Sequence, residues 1–410
     1  MPRRLTAIPP LRRWAPQFFL AIGLMVGLAA CNTPNLSEPS PSIQRPTAQA
    51  PLDNSALRAA PTTDSLGRLF PASTVRVAIL VPLTGDGASA GTALLRAAQM
   101  AVLDNAPGNF VLLPFDTGGT PQGAGLAADQ ALAAGADLII GPLFSRSVGQ
   151  VAARAAPYNV NVISFSNDAR VAGNNALVMG VLPSGQVDRI LSYAAGQGLD
   201  DIAVLAPANE YGQAITDAAR LAAARYNIRL ANIQLVDPRA TFDPIIATLA
   251  EEPFLEAALV AEGGLRLREA SGFFGFYELN EVQLLGTTLW EDPSVMVEPT
   301  LAGGWYPSTD PAGHASFISQ YQEAFGETPP GVAALAYDAA SLAGSLARDF
   351  GPDRFGRTAL LNPSGFAGIE GVFRFTADGT VERGLAVMEV QPQGAQLRDQ
   401  APTTFATAGF

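Results

Sequence analysis

The stretch ADLIIGPLFSRSVGQVAARAAPYNVNVISFSND, residues 136–168, limits the possible folds more than any other part of the chain. Leu138-Ile139-Ile140 and Val160 to Ile163 are short, β-branched apolar runs with the length of buried strands. Between them Ser145 and Ser147 offer N-caps, and Val148, Val151, Ala152 and Ala155 recur at helical spacing until Pro157 ends the helix. A strand–helix–strand unit of this kind is right-handed and makes its strands parallel neighbours. Open parallel sheets bind ligands beyond the carboxyl ends of their strands, here Gly-Pro-Leu-Phe-Ser and Ser-Phe-Ser-Asn-Asp. Hydroxyls and free N–H groups at a helix start suit a polar or anionic small molecule. Helix capping and turn closure are the alternative use of the same serines.

The chemical inventory is narrow. All 25 basic residues are arginines, and Cys31 and His314 are the only residues of their kinds. An internal disulfide, a Cys/His zinc cluster and a lysine Schiff base are therefore excluded, and no cofactor or metal is expected. A formal charge of -12 argues against nucleic-acid binding, which needs a basic face. At 410 residues the chain can form two domains with large cores.

Residues 1–30 have the pattern of a secretory signal. Arg3, Arg4, Arg12 and Arg13 precede the apolar run Phe18 to Leu28, which is shorter than the roughly 20 residues of a spanning helix. Leu28-Ala29-Ala30-Cys31 resembles the bacterial lipobox, which implies cleavage, lipidation of Cys31 and, with Asn32 next, delivery to the periplasmic face of the outer membrane. Residues 31–73 follow as a lipidated cysteine and a Pro-, Ser- and Thr-rich linker. About 40 such residues span roughly 35 Å as a coil and about 130 Å when stretched.

From residue 74 strands and helices alternate, twice over. Val75 to Val81 runs into Pro82-Leu83-Thr84-Gly85, and Phe110 to Phe115 closes on Asp116-Thr117-Gly118-Gly119. A second series starts at Ile202 to Ala206, with strands at 228–236, 257–261 and 283–286. This alternation predicts an α/β fold of two doubly wound, Rossmann-like lobes. Phe317, Tyr321 and Phe325 then share a helical face, a second helix spans 333–349, and strands near 371–375 and 385–390 flank a turn at Asp378-Gly379. Residues 392–410 are expected to fray.

With ILVPLTG, FDTGGTP, ADLIIGPLFSRSV, VISFSND, NEYG, FISQYQEAFGETPP, ALAYDAA and GIEGVFRFTADGTVERGLAV in this order, the chain resembles the type I periplasmic binding protein superfamily in its leucine-binding branch. The resemblance implies three interlobe crossings, near 181–184, 303–307 and 366–372. It divides the chain into one lobe of 74–182 plus 306–368 and another of 183–305 plus 369–391. Carried over by motif, the cleft positions are Thr84, Gly85, Ser145, Ser164, Ser166, Asn167, Asp168, Tyr211 and Glu262. The serine loop holds a ligand carboxylate in such proteins, and Glu262 is the candidate partner of a ligand amine. Amino-acid binders of the branch usually offer threonine near Asp168, where a carboxylate would repel a ligand carboxylate. Glu291 and Asp292 are further candidates for the cleft or for a solvated loop.

Two functions follow from the resemblance. One is that of the penicillin-binding protein activator lipoproteins, which stimulate a bifunctional peptidoglycan synthase (a class A penicillin-binding protein); the lipid, Asn32, the tether and Asp168 favour it. The best-known activators carry a helical-repeat domain that does not fit within 32–73. The alternative is a receptor that closes on a small polar ligand, such as an amino acid or small amide, and presents it to an ABC permease. Catalysis is not expected. Gly87-Ala88-Ser89-Ala90-Gly91 satisfies G-x-S-x-G, but Pro82 to Ala88 separate it from its strand. Gly123 to Ala128 follows Thr120-Pro121-Gln122 rather than a strand, unlike a dinucleotide loop. His314 reads as a surface residue before a helix.

Overall fold

The computed structural model describes residues 74–405, apart from 174, 293, 294, 296, 350 and 352. The signal, Cys31 and the linker lie outside the described residues. No described helix is long and apolar enough to cross a membrane.

A five-stranded parallel sheet organises the first lobe. Its strands are β1 (Val75–Val81), β2 (Phe110–Asp116), β3 (Leu138–Ile140), β4 (Asn161–Ser164) and β5 (Ala176–Val178), in the order β2-β1-β3-β4-β5. The central strands are buried on both faces, which is why they read as unbroken apolar runs. Helix α1 (Ala88–Asn105) covers one face, and α2 (Pro121–Ala133) and α3 (Ser145–Ala155) cover the other. The α2 interface is built from Ala124, Ala127, Ala128 and Ala131, small enough for helix and sheet to approach closely.

The second lobe starts with α4 (Pro183–Gly196). It continues through β6 (Asp201–Pro207), α5 (Glu210–Tyr226), β7 (Arg229–Val236), α6 (Asp243–Leu249), β8 (Ala257–Val260), α7 (Gly264–Phe276), β9 (Gln283–Leu285) and β10 (Trp305–Ser308). After β10 come α8 (Pro311–Phe325), α9 (Ala333–Asp349), α10 (Arg357–Leu360), β11 (Phe366–Gly368), β12 (Gly371–Phe375) and β13 (Val381–Arg383). The last strands are β14 (Ala386–Gln391) and β15 (Gly394–Asp399). The second sheet is ordered β15-β14-β10-β9-β8-β6-β7; β10 to β7 are parallel, and β14 and β15 are antiparallel additions.

Three boundaries differ from the sequence reading. Residues 305–308 pair with β9 and β14, so they belong to the second sheet throughout, and the chain returns to the first lobe only beyond Ser308. Residues 371–383 do not join the second lobe: Phe373, Phe375 and Val381 alternate into the first core, with Phe317 and Tyr321 of α8. The Asp378-Gly379 turn therefore joins β12 to β13, and the last crossing falls near Gly384. Finally, 394–399 form an edge strand against β14 rather than a frayed end; their polar, exposed sequence carries no strand-like apolar pattern.

Candidate functional site

The interlobe cleft is a cavity of about 640 Å3 lined from both sides. The first lobe contributes Phe144, Ser145, Ser166 and Asn167 at the ends of β3 and β4, together with His314 of α8 and Glu370 before β12. The second contributes Gln186, Tyr211, Thr288 and Glu291. An outer cavity of about 670 Å3 adjoins it, sharing Ser145, Asn167 and Tyr211 and adding Asp168, Arg170 and Glu210. A larger groove of about 790 Å3 runs between α4, α5, β13 and residues 399–405, away from the ends of the parallel strands. We take the first two as the candidate site, because they lie where the strand ends of both sheets converge.

Local geometry explains the motifs. Gly141 sits at φ 95° and packs on the Leu80 carbonyl, so a side chain there would collide with β1. The chain then turns through cis Pro142 to Phe144, which N-caps α3 without a side-chain bond; Ser145 is the first helical residue, not the cap. On the facing lobe, Asn209 caps α5 by accepting from Gly212 N–H at 3.0 Å. Tyr211 is thereby aimed at the cleft, where its hydroxyl donates to Thr287 Oγ1 at 2.9 Å. Burial pushes the phenol up to about 12, so it stays neutral.

The loop after β4 is closed on itself. Ser166 Oγ accepts the Asp168 backbone N–H at 3.0 Å. Arg170 grips Asp168 in two bonds of 2.9 Å and reaches across to Glu210 at 2.8 and 3.3 Å. The Arg170 guanidinium holds both carboxyls below their ordinary range. Asp168 is therefore a paired member of a triad rather than a bare charge facing a ligand, and the repulsion expected of it is reduced by a cation, shared with Glu210, that sequence reading missed.

The remaining candidates are dispersed. Ser164 is fully buried, its Oγ without a hydrogen-bond partner among the described residues, and it lines neither cavity. Thr84 and Gly85 also lie outside both. Burial raises the Asp116 carboxyl, but bonds from the Thr84 hydroxyl and the Gly118, Leu83 and Thr84 N–H groups outweigh it and fasten that loop. Glu262 is buried at the end of β8, where desolvation raises it against the pull of Arg266, and it too lines neither cavity. Glu291 faces the cleft, whose walls raise its carboxyl, and Glu370 adds to the rise; Asp292 lines neither cavity.

His314 is not a surface residue ahead of a helix. It lies within α8 and lines the cleft, with Nδ1 3.1 Å from Glu370 Oε1, a bond that raises the imidazole. Ser89 stands in the first turn of α1, with no strand-to-helix elbow to activate it. Gln186, which ties Thr288 to the start of α4 through its Oε1 at 3.0 and 3.1 Å, carried no recognisable motif.

The periplasmic binding protein family matches residues 74–396, and the chain belongs to that family. Its leucine-binding-like type I fold is shared by a structure assigned to a branched-chain amino acid ABC transporter of Rhodospirillum rubrum. That pair is 18% identical, covering 79% of this chain and 100% of the other, with a TM-score of 0.70. The C-domain of LpoA (YraM) from Haemophilus influenzae, a regulator of PBP1A, is 16% identical over 79% of this chain and 99% of its own, at a TM-score of 0.64. A leucine-, isoleucine-, valine-, threonine- and alanine-binding protein from Brucella ovis is 15% identical over 81% and 95%, at 0.63. A curated relative, the uncharacterized protein RP748 of Rickettsia prowazekii, is 28% identical over 142 residues, or 35% of this chain and 38% of that protein. The match thus spans well under half the length of that relative. These relatives are binding proteins and a regulator, not enzymes, where their role is given at all.

Proposed function

We propose that this is a non-catalytic lipoprotein, anchored through Cys31 to the outer membrane, whose leucine-binding-like domain regulates a bifunctional peptidoglycan synthase in the periplasm. The observation that carries this reading is the closed loop after β4. In amino-acid binders its hydroxyls and N–H groups face a ligand carboxylate; here the Asp168 N–H is taken by Ser166 Oγ, and the Asp168 carboxylate is held by an arginine that braces the opposite lobe. The lipobox and the linker of residues 32–73 support it by giving the domain reach through the periplasm, and so does the likeness to the LpoA C-domain. The mature chain, added to a class A penicillin-binding protein from the same cell, should raise its rate of glycan polymerisation or cross-linking. An unchanged rate, together with failure of the two proteins to co-purify, would sink the proposal.

One observation favours a second reading, the receptor of an ABC permease: the cleft of about 640 Å3 presents Ser145, Asn167 and Tyr211 from facing lobes. A polar ligand bound there at 100 times its Kd should stabilise the fold by about 2.7 kcal/mol. Small amides and amino acids that leave the melting curve unmoved would count against it.

A further inference from the structure

Arg170 stands between the lobes as a shared cation. It bonds Asp168 on its own loop through Nε and Nη2, both at 2.9 Å, and Glu210 on the second lobe through Nη2 at 2.8 Å and Nη1 at 3.3 Å. We propose that Arg170 is a salt-sensitive latch that sets how far the lobes part, and so governs entry to the two cavities between them.

The two halves of the triad differ in what happens when the lobes separate. Asp168 also accepts the Arg170 backbone N–H at 3.0 Å, two residues away, so that half travels with the first lobe. Glu210 is the first helical residue of α5, and the N-terminal end of that helix keeps its charge company once Arg170 has gone. Neither carboxylate is stranded by release, so the latch can open without leaving an uncompensated charge.

Exposure makes the contact responsive. The Arg170 and Glu210 side chains are 63% and 80% accessible, so dissolved ions reach both. Position gives it consequence: all three residues line the outer cavity, which adjoins the cleft through Ser145, Asn167 and Tyr211. Parting Arg170 from Glu210 widens the way in, and holding them together narrows it.

The test is an interlobe distance. In the chain carrying Cys31→Ser, spin labels at Ala153→Cys on α3 and Ala224→Cys on α5 report across the gap from exposed sites. Low salt should give one narrow distribution. Arg170→Ala, Glu210→Gln or about 1 M sodium chloride, where the screening length falls to about 3 Å, should each shift it beyond the wild-type width. Arg170→Lys, which keeps the charge, should remain sensitive to salt. Distributions that coincide for the wild type and both neutralising variants at either salt concentration would overturn the proposal. So would a shift with salt that survives unchanged in Arg170→Ala.

Discussion

Two clusters of charge, one at the outer cavity and one inside the first lobe behind the cleft wall, differ in burial far more than in chemistry. At the mouth, Asp168, Arg170 and Glu210 form a triad in which the arginine is 63% accessible. Behind the cleft-lining Glu370, at a floor that itself lines neither cavity, Asp338 of α9 and Arg383 of β13 face each other at 3.7 Å with side chains 0% and 3% accessible. Asp338 Oδ1 accepts the Ile369 N–H at 2.7 Å, and Arg383 donates to the Met179 carbonyl at 3.0 Å. Asp338 Oδ2 and Arg383 Nη1 have no hydrogen-bond partner among the described residues. Water at the mouth makes the same kind of pair cheap to break; its exclusion from the floor makes breakage costly. The floor can thus hold one lobe rigid while the mouth adjusts its distance from the other.

The sharpest way to break this comparison is at the floor. Well above pH 7, where Asp338 is ionised beside Arg383, Arg383→Met forces it to remain charged without its cation or to take up a proton, and should cost about 3–5 kcal/mol in urea unfolding. Pairing it with Asp338→Leu should recover most of that loss, whereas a loss below about 1 kcal/mol for Arg383→Met alone would make floor and mouth equivalent.

The floor should also leave a signature in pH. Burial pushes Asp338 up to about 7 from an ordinary 3.8, with Arg383 opposing. Between those values the folded chain holds a proton that the unfolded chain has released, so this group makes stability fall as pH rises from about 4 to 7. His314, raised by its bond to Glu370, has the same sign: its contribution is complete below 6.5 and is lost as pH climbs through the higher folded value. Asp338→Asn should flatten the decline. The mouth has the opposite sign, since Asp168 and Glu210 are lowered and lose their contribution only in acid, below their ordinary range.

Smaller effects sharpen the contrast. Tyr211→Phe removes the bond to buried Thr287 and should lower stability by about 1 kcal/mol, read as a drop in the melting temperature. Arg170→Ala should lower stability only slightly, and high salt should erase even that difference. A larger and salt-independent loss would place the mouth in the same class as the floor.

Much of the framework was legible because it follows from local periodicity. Leu138 to Ile140, Val160 to Ile163 and the apolar spacing of α3 announce a parallel sheet without any knowledge of distant partners. The lobe boundaries were harder, since Trp305-Tyr306-Pro307-Ser308 has no alternation and pairs with residues on both sides of the crossings. β15 was hidden because an exposed edge strand needs no apolar face. The floor was hidden for a different reason: His314 and Glu370 are 56 residues apart, and burial that pairs them leaves no spacing to read. Asp168 could be suspected from its position, but the tie of its partner Arg170 to Glu210 depends on the docking of two lobes.

The central claim is that the loop after β4, which in amino-acid binders receives a carboxylate, here closes on itself and braces the facing lobe. Calorimetric titration of the mature chain with leucine, valine, threonine, alanine and glutamate tests it directly. The account expects no saturable heat with any of them. A saturable isotherm of micromolar or tighter affinity, abolished by Ser145→Ala or Asn167→Ala, would contradict it.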